Sequence, residues 1–363
     1  MPNNAVLLTL SWVICTSTTL SVFLMFAFHH HVVWNAPFSS ASENNNNNNL
    51  VKIVSLIDND NVNNNVQKLI EQLLKEYYDL GKPLLIKGGV KHWPAFNNWN
   101  SFDYLLTTVG SKTEVVLQTD VTEQRANPFV ATTFQAFTDW LKKYPTLKET
   151  TEYKERVGAT YYIAEEFDFL EKYSQLYKDM INLTDFDFFK NNLNMVGGDD
   201  NHTINYGFET AFWMGGAGAK TGWHYDYDYS FNVLCHLKGE KQFYIAKPIA
   251  TQFLYPSSKF DPGAILSSVN FWSPDLEEYP KYANIQFEEI KLDAGDMFFI
   301  PAGYWHAVES KSHSISVSIR LMPRYLWIVN SIDRLWEMFY LLGWYEPSEG
   351  TVVRAKTIQV ASL

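Results

Sequence analysis

The chain has 363 residues and a formal net charge of -11, and aromatic residues make up 16% of it. This is enough apolar surface for a core in one large domain or two small ones. The acidic balance, with no run of Lys or Arg, argues against nucleic acid as a partner, because binding to phosphates needs a cationic face. The two cysteines, Cys15 and Cys235, lie in unrelated segments, which excludes a disulfide framework.

The first segment of the chain is apolar and uncharged. No Asp, Glu, Lys or Arg occurs between Met1 and Ser42, and the run from Ala5 to Phe28 is long enough to cross a bilayer as a helix. We interpret residues 1–31 as a transmembrane or signal-anchor segment of a single-pass membrane protein. A cleaved signal peptide and a buried helix of the folded domain are the alternatives. The orientation and the organelle stay open, with the endoplasmic reticulum and secretory pathway among the candidates.

Asparagine-rich sequence comes next. Six consecutive asparagines end at Asn49, and a second Asn-rich patch covers residues 59–65. Such polar tracts bury little apolar area, so we interpret residues 32–65 as a low-complexity linker. A short strand or extended segment is expected within it, at Lys52–Ile57.

Helices and short strands are predicted over the following hundred residues. The apolar spacing in Val66–Leu80 predicts a helix, and Ser101 is a candidate N-cap for a second helix that ends at Val109. A third helix is predicted at Phe134–Leu141. Strands are predicted at residues 83–86, 115–118 and 160–164. Residues 165–205 show no clear period, which predicts loops and short helices.

From Thr210 onward, short β-rich runs recur with turn residues between them. Several alternate polar and apolar residues, as Ser314–Leu321 does, which is typical of an antiparallel strand with one face in a core. We therefore expect a mainly β sandwich or barrel with flanking helices. The predicted strands are residues 211–214, 230–237, 241–245, 286–292, 296–300, 306–309 and 314–321. Helical spacing returns at Leu326–Leu342, and residues 326–363 are interpreted as a C-terminal helical segment.

Three side chains in the β-rich region are candidate metal ligands. His224 and Asp226 form a His-x-Asp motif, and residues two apart in an extended chain face the same side. His306 follows a turn that begins at Pro301 and supplies a second imidazole. Two histidines and one carboxylate leave open positions on an octahedral ion, as in non-haem Fe(II) oxygenases. A zinc or manganese site without redox chemistry remains an alternative.

The motifs around these ligands resemble the JmjC family, and in particular its small cupin-like protein-hydroxylase branch. The matching residues are Gly218, Thr221, His224, Asp226, Lys238, Gly239, Lys241, Gly295, Asp296, Ile300, Pro301, Trp305 and His306, with Gly81–Gly88, Trp93, Pro94, Ala95 and Trp99 before them. The resemblance spans residues 82–320. It implies a double-stranded β-helix, the jelly-roll fold of cupins, in a catalytic domain at residues 66–325.

The resemblance also implies a ferrous centre. His224, Asp226 and His306 would hold Fe(II) and carry the catalysis, with 2-oxoglutarate and dioxygen as co-substrates. The implied reaction couples oxidative decarboxylation of 2-oxoglutarate to hydroxylation of a C–H bond, with a protein side chain as the expected substrate. A lysine demethylase and a catalytically inactive, membrane-anchored binding module are the alternatives.

A pocket for 2-oxoglutarate is implied as well. Lys241 would pair with the distal carboxylate of the co-substrate, and Thr221 would donate its hydroxyl to the same group. Asn232 matches an asparagine that orients the co-substrate. Tyr162 matches a tyrosine that reaches it, with Tyr161 as a rival.

Three further expectations concern partners and surface features. The C-terminal helical segment is a candidate homodimer contact, and packing back onto its own barrel is the alternative. Sequons at Asn182 and Asn201 matter only if the domain is luminal or extracellular. The interval from His-x-Asp to Asn232 is longer than in related proteins, so Asp228 and Tyr229 are expected in an extra loop near the substrate entrance.

Overall fold

The computed structural model of the protein describes residues 49–56, 66–119, 129–143, 161–166, 169–180, 208–226, 231–257, 264–321 and 358–360. Four predicted features lie outside these ranges: the membrane segment at residues 1–31, both sequons, the loop at Asp228 and Tyr229, and the helix at Leu326–Leu342. Within the described ranges, no helix has the length and apolar character that a bilayer crossing requires.

The described strands, β1 to β15 in chain order, are Lys52–Ser55, Leu84–Lys87, Glu114–Thr119, Phe129–Thr133, Tyr161–Glu166, Phe208–Gly215, Lys220–Asp226, Phe231–Lys238, Glu240–Ala246, Ala264–Leu266, Glu288–Asp293, Met297–Ile300, Trp305–Ser310, Ser314–Leu321 and Ile358–Val360. They form two sheets. The larger has ten strands in the order β1-β2-β12-β8-β14-β6-β5-β3-β4-β15, and the smaller has five in the order β10-β7-β13-β9-β11. Pairing is antiparallel except at the two ends of the larger sheet. This is the mainly β jelly-roll fold with flanking helices that we predicted.

The described α-helices, α1 to α7, are Val66–Leu80, Pro94–Asn98, Phe102–Val109, Phe134–Lys143, Phe169–Lys172, Ser174–Lys178 and Thr251–Leu254. Short 3-10 helices occupy Pro248–Ala250 and Pro280–Asn284. The predicted cap of α3 is confirmed, because the Oγ of Ser101 accepts a hydrogen bond from the backbone N–H of Tyr104 at 3.2 Å.

Two predicted boundaries need correction. β1 lies inside the expected linker at residues 32–65, yet it pairs with β2, and the preceding Val51 is only 2% exposed. The folded unit therefore begins before residue 66. Residues 326–363 are not helical throughout, because β15 pairs with β4. The alternating Ile-Gln-Val sequence of β15 suits a strand, and three residues are too few for periodicity to reveal it.

Alternation along the strands separates two apolar layers. On β8, the side chains of Val233, Cys235 and Leu237 pack with the helices that cover the larger sheet. The opposite face of β8 points toward the smaller sheet, where Leu234 packs with Phe243 of β9. Since successive strand residues point to opposite faces, every strand of the larger sheet can offer polar side chains to the space between the sheets.

A buried carboxylate ties the helical layer together. Asp179 is 3% exposed and accepts hydrogen bonds from the Nε1 of Trp99 at 3.0 Å and the Nδ2 of Asn98 at 3.1 Å. The hydroxyl of Tyr104 also donates to it, at 2.5 Å. These bonds join α2 and α3 to the end of α6.

We expect Asp179→Ala to lower the free energy of unfolding by about 2–4 kcal/mol, because buried donors lose their acceptor. Asp103→Ala is the matched control. Asp103 lies on α3 with a side chain that is 94% exposed, and its loss should change stability by less than about 1 kcal/mol. Urea denaturation followed by tryptophan fluorescence measures both variants. Equal losses in the two variants would contradict the buried-anchor interpretation.

Candidate metal centre

The candidate ligands lie on neighbouring strands of the smaller sheet. His224 and Asp226 are two residues apart on β7, so both face the larger sheet. Trp223, the residue before His224, faces the other way and donates from its Nε1 to the hydroxyl of Tyr282 at 3.0 Å. His306 of β13 stands directly opposite His224 in the antiparallel register. Strand pairing thus joins two motifs that are eighty residues apart in the chain.

The three side chains converge on one point. One ligand atom from each of His224, Asp226 and His306 lies within 4.8 Å of the others. The two imidazole rings have centroids 4.1 Å apart. All three residues are buried, with exposures of 4–6%. A single ion can be reached by all three without rearrangement of the strands.

Backbone contacts set the tautomers of both histidines. The Nδ1 of His224 lies 2.8 Å from the carbonyl oxygen of Gly222, and the Nδ1 of His306 lies 3.1 Å from that of Tyr304. A carbonyl can only accept, so each Nδ1 carries a proton and donates it. The Nε2 atoms are then the coordinating atoms. Such backbone contacts are the usual way in which metal-binding histidines are oriented.

The charge of Asp226 is compensated on two sides. Its Oδ1 lies 3.1 Å from a guanidinium nitrogen of Arg320, and its Oδ2 accepts a hydrogen bond from the Nδ2 of Asn232 at 3.1 Å. Burial alone would raise the pKa of this carboxyl, but the guanidinium, the two imidazoles and the amide together hold the pKa below its ordinary value. Burial lowers the pKa of His306, which favours the neutral imidazole. Both protonation states are those that a metal ion requires.

These residues fit a divalent ion such as Fe(II). The donor set is two imidazoles and one ionised carboxylate, the facial triad of non-haem iron sites. The Oδ1 of Asp226 is buried and, apart from its ion pair with Arg320, accepts no hydrogen bond among the described residues. It therefore retains capacity for a further cationic partner.

A cavity between the sheets holds the triad. It contains about 420 Å³ of space that no atom fills, part of which is open to solvent. Its walls consist of Tyr162, Trp213, Thr221, His224, Asp226, Asn232, Leu234, Lys241, Phe243, Ile300, His306, Val308, Ser318 and Arg320. All seven residues that the sequence indicated as metal- or co-substrate-binding are among these.

Lys241 supplies a second buried cationic group in this cavity. It is 2% exposed, and its Nζ donates to the hydroxyl of Tyr162 at 3.1 Å. Burial lowers the pKa of Lys241 to about 7. The rival residue Tyr161 faces away and packs edge-on against Trp140, with ring centroids 5.0 Å apart. Of the two tyrosines, Tyr162 is the one that lines the cavity.

Thr221 reaches the cavity because the strand pairing is irregular. His306 pairs with His224, but Val308 pairs with Thr221, so β7 has one residue more than β13 over this stretch. Residues three apart in a regular strand face opposite sides, and an extra residue reverses that. The irregularity therefore brings Thr221 and His224 to the same cavity.

Comparison with known protein families identifies the domain. The family described as "Cupin-like domain" matches residues 70–320, which is more than half of the chain. The chain belongs to this family. The cupin-like domain thus covers the smaller sheet, the larger sheet apart from its terminal strands β1 and β15, and every residue of the candidate site.

Curated relatives carry the JmjC name. The cupin-like domain is similar to "JmjC domain-containing protein D" of Dictyostelium discoideum, at 27% identity over 70% of this chain and 56% of the relative. It is also similar to "Lysine-specific demethylase JMJ30" of Arabidopsis thaliana, at 28% over 69% of this chain and 52% of the relative. "Jumonji C domain-containing protein 5" of Drosophila melanogaster is similar at 27% identity, over 69% of this chain and 57% of the relative. The match spans about half the length of these relatives.

The predicted membership of the JmjC family is confirmed. JmjC proteins as a family are Fe(II)- and 2-oxoglutarate-type oxygenases, and the His-Asp-His cluster of the cupin-like domain is a candidate metal site of the kind they use.

Arg320 is the site residue that the sequence analysis missed. It continues the face of β14 that carries Ser316 and Ser318, so alternation places it between the sheets. A charged residue on an inward face is unexpected, and its partner Asp226 lies on the other sheet. On the same face of β14, Ser318 accepts a hydrogen bond from the Nε1 of Trp213 at 3.1 Å.

We expect Mn(II), a redox-stable probe, to bind the protein and raise its melting temperature. His224→Ala should weaken binding by more than about 100-fold, because losing a direct ligand exceeds the effect of losing an orienting contact. His92→Ala is the control, since His92 is exposed and outside the cavity. Isothermal titration calorimetry measures both. Retention of Mn(II) affinity in His224→Ala would exclude the proposed ligand set.

Proposed function

We propose that the cupin-like domain is an Fe(II)- and 2-oxoglutarate-dependent dioxygenase that hydroxylates a protein side chain. The observation that carries this proposal is the convergence of His224, Asp226 and His306 within 4.8 Å, in a cavity that also contains Lys241. A structural metal site would have no need of a buried ammonium group beside it. A keto acid with a distal carboxylate does need one.

Bound Fe(II) would activate dioxygen, the oxidant of the reaction: one oxygen atom would go to 2-oxoglutarate, which becomes succinate and carbon dioxide, and the other to a C–H bond of the substrate. The protein's task is to hold the reactants and exclude water. His224, Asp226 and His306 would hold the ion on one side and leave its remaining positions accessible from the cavity.

Lys241 would anchor the distal carboxylate of 2-oxoglutarate. Its ammonium group is buried and already held by the hydroxyl of Tyr162, so the carboxylate would meet a pre-positioned donor. Tyr162 and Thr221 both line the cavity and can donate hydroxyl hydrogens to the same carboxylate.

Apolar walls separate the polar groups. Leu234, Phe243, Ile300 and Val308 line the cavity. They would pack against the methylene groups of the keto acid, and they leave few partners for water. In such surroundings the interactions of charged groups are stronger than in bulk solvent.

Lysine demethylation is the second candidate function, because one relative is named "Lysine-specific demethylase JMJ30". The same centre serves both reactions, since hydroxylation of an N-methyl group gives an unstable product that releases formaldehyde. The distinction lies in the product. A side-chain hydroxylase leaves the added oxygen on the protein, whereas a demethylase releases formaldehyde and lowers the substrate mass.

We expect the purified chain with Fe(II) to convert 2-oxoglutarate to succinate, and this turnover to fall to background in His306→Ala. His92→Ala should retain it. Mass spectrometry of proteins from native membranes, incubated with each variant, should find a gain of one oxygen that depends on His306. Formaldehyde without such a gain would favour the demethylase. Absence of succinate formation in an iron-loaded wild type would leave an inactive binding module as the better interpretation.

The apparent affinity for 2-oxoglutarate should fall as the pH rises above 7. Burial lowers the pKa of Lys241 to about 7, so above that pH most ligand-free sites hold a neutral amine. Binding a carboxylate must then take up a proton, which weakens apparent binding by up to about tenfold per pH unit. Calorimetry of the Mn(II)-loaded protein from pH 6.5 to 9, in buffers of different ionisation enthalpy, measures this.

Lys241→Arg is the matched variant for this experiment. A guanidinium stays charged throughout the range, so the pH dependence should flatten. Lys241→Met should bind weakly at every pH. A wild-type affinity that does not change between pH 7 and 9 would contradict the lowered pKa of Lys241, and a Lys241→Met affinity equal to that of wild type would contradict the assignment of Lys241 as the carboxylate anchor.

A further inference from the structure

Arg320 forms an ion pair with Asp226, one of the candidate metal ligands. Its guanidinium is 3.1 Å from the Oδ1 of Asp226, and both side chains are 5% exposed. Arginine cannot lose its proton in a protein, so the charge is permanent. Water screens charges poorly at such burial, and the contact is correspondingly strong.

The opposite oxygen of the same carboxylate is also held. Arg320 of β14 and Asn232 of β8 are direct neighbours in the sheet register, and their side chains both line the cavity. The Nδ2 of Asn232 donates to the Oδ2 of Asp226 at 3.1 Å. Two residues of the larger sheet therefore contact both carboxylate oxygens of Asp226, which belongs to the smaller sheet.

We infer that Arg320 is a positioning residue that holds the Asp226 carboxylate in the metal-free site and competes with the ion for it. A buried carboxylate without compensation is strongly destabilising. Arg320 supplies that compensation before any metal binds. An arriving ion adds its own positive charge beside the guanidinium, and this repulsion makes its binding weaker than it would be at a carboxylate that has no other cation.

The inference rests on the proposed metal centre and concerns the affinity of that centre for its ion. Removing the guanidinium should destabilise the metal-free protein more than the metal-loaded protein. By linkage, the variant then binds metal more tightly. A residue with a merely structural role would lower stability and leave metal affinity unchanged or weaker.

The test measures Mn(II) binding to the full chain by calorimetry, with melting temperatures taken with and without Mn(II). Arg320→Met should bind Mn(II) about tenfold or more tightly than wild type, as expected for removal of one buried like charge. Its melting temperature should be lower without metal and largely restored with it. Arg320→Lys keeps the charge and should stay close to wild-type affinity. An Arg320→Met affinity equal to or weaker than wild type overturns the inference.

Lys241→Met, compared with Arg320→Met at pH 6.5, is the matched control for the general charge of the cavity, because most Lys241 side chains are charged at that pH and also line the site. It should tighten Mn(II) binding less than Arg320→Met does. An equal gain in both variants overturns a specific role for the Arg320–Asp226 contact. If Arg320→Met does not fold, Arg320→Gln, which keeps a donor without the charge, is measured in its place with the same expected direction.

Asp226→Asn gives an independent test in the absence of metal. The drop in melting temperature caused by Arg320→Met should be much smaller in the Asp226→Asn background, since the partner charge is gone. An equal drop in both backgrounds overturns the inference. A folded wild type that binds no Mn(II) overturns the proposed function together with this inference, whereas binding without a gain in Arg320→Met overturns the inference alone.

Discussion

The architecture depends on keeping one carboxylate, that of Asp226, ionised inside a protein. A charge at this depth is tolerated only where other groups compensate it. Two imidazoles approach it from its own sheet, and a guanidinium and an amide approach it from the facing sheet. The two halves of the jelly roll are therefore joined by apolar packing and also by the electrostatics of a single side chain.

The strands reconcile this polar centre with a stable core by dividing their two faces. Val233 and Cys235 of β8 belong to the large apolar layer under the helices, while Asn232 lies on the opposite face, in the cavity. β7 does the same with Trp223 and His224. Apolar side chains are buried on the outer faces of the two sheets as well as between the sheets. Part of the space between the sheets is therefore available for the polar groups of the cavity.

The features that could be predicted from the sequence are those that depend on residues close together in the chain. The His-x-Asp pair is two residues apart, so strand period alone places both side chains on one face. Val66–Leu80 repeats its apolar residues often enough to predict a helix with the observed bounds. The motif context of Lys241 and Tyr162 then indicated which cavity residues to expect.

The features that could not be predicted depend on pairing between distant strands. β10 has three residues, too few for any period to be recognised. The position of Thr221 depends on an irregularity in the β7–β13 register. The role of Arg320 requires knowledge of which residue faces it across the sandwich. None of these is encoded in local spacing.

The aromatic packing behind β7 has a consequence for fidelity of assembly. Trp223 and Tyr225 alternate with His224 and Asp226, and Tyr225 lies edge-on against Trp305, with ring centroids 4.8 Å apart. A shift of β7 by a single residue would place the indole of Trp223 in the cavity and the imidazole of His224 in the apolar layer of rings. The bulk of those rings thus favours a single strand register, and it is the register in which the three candidate ligands converge.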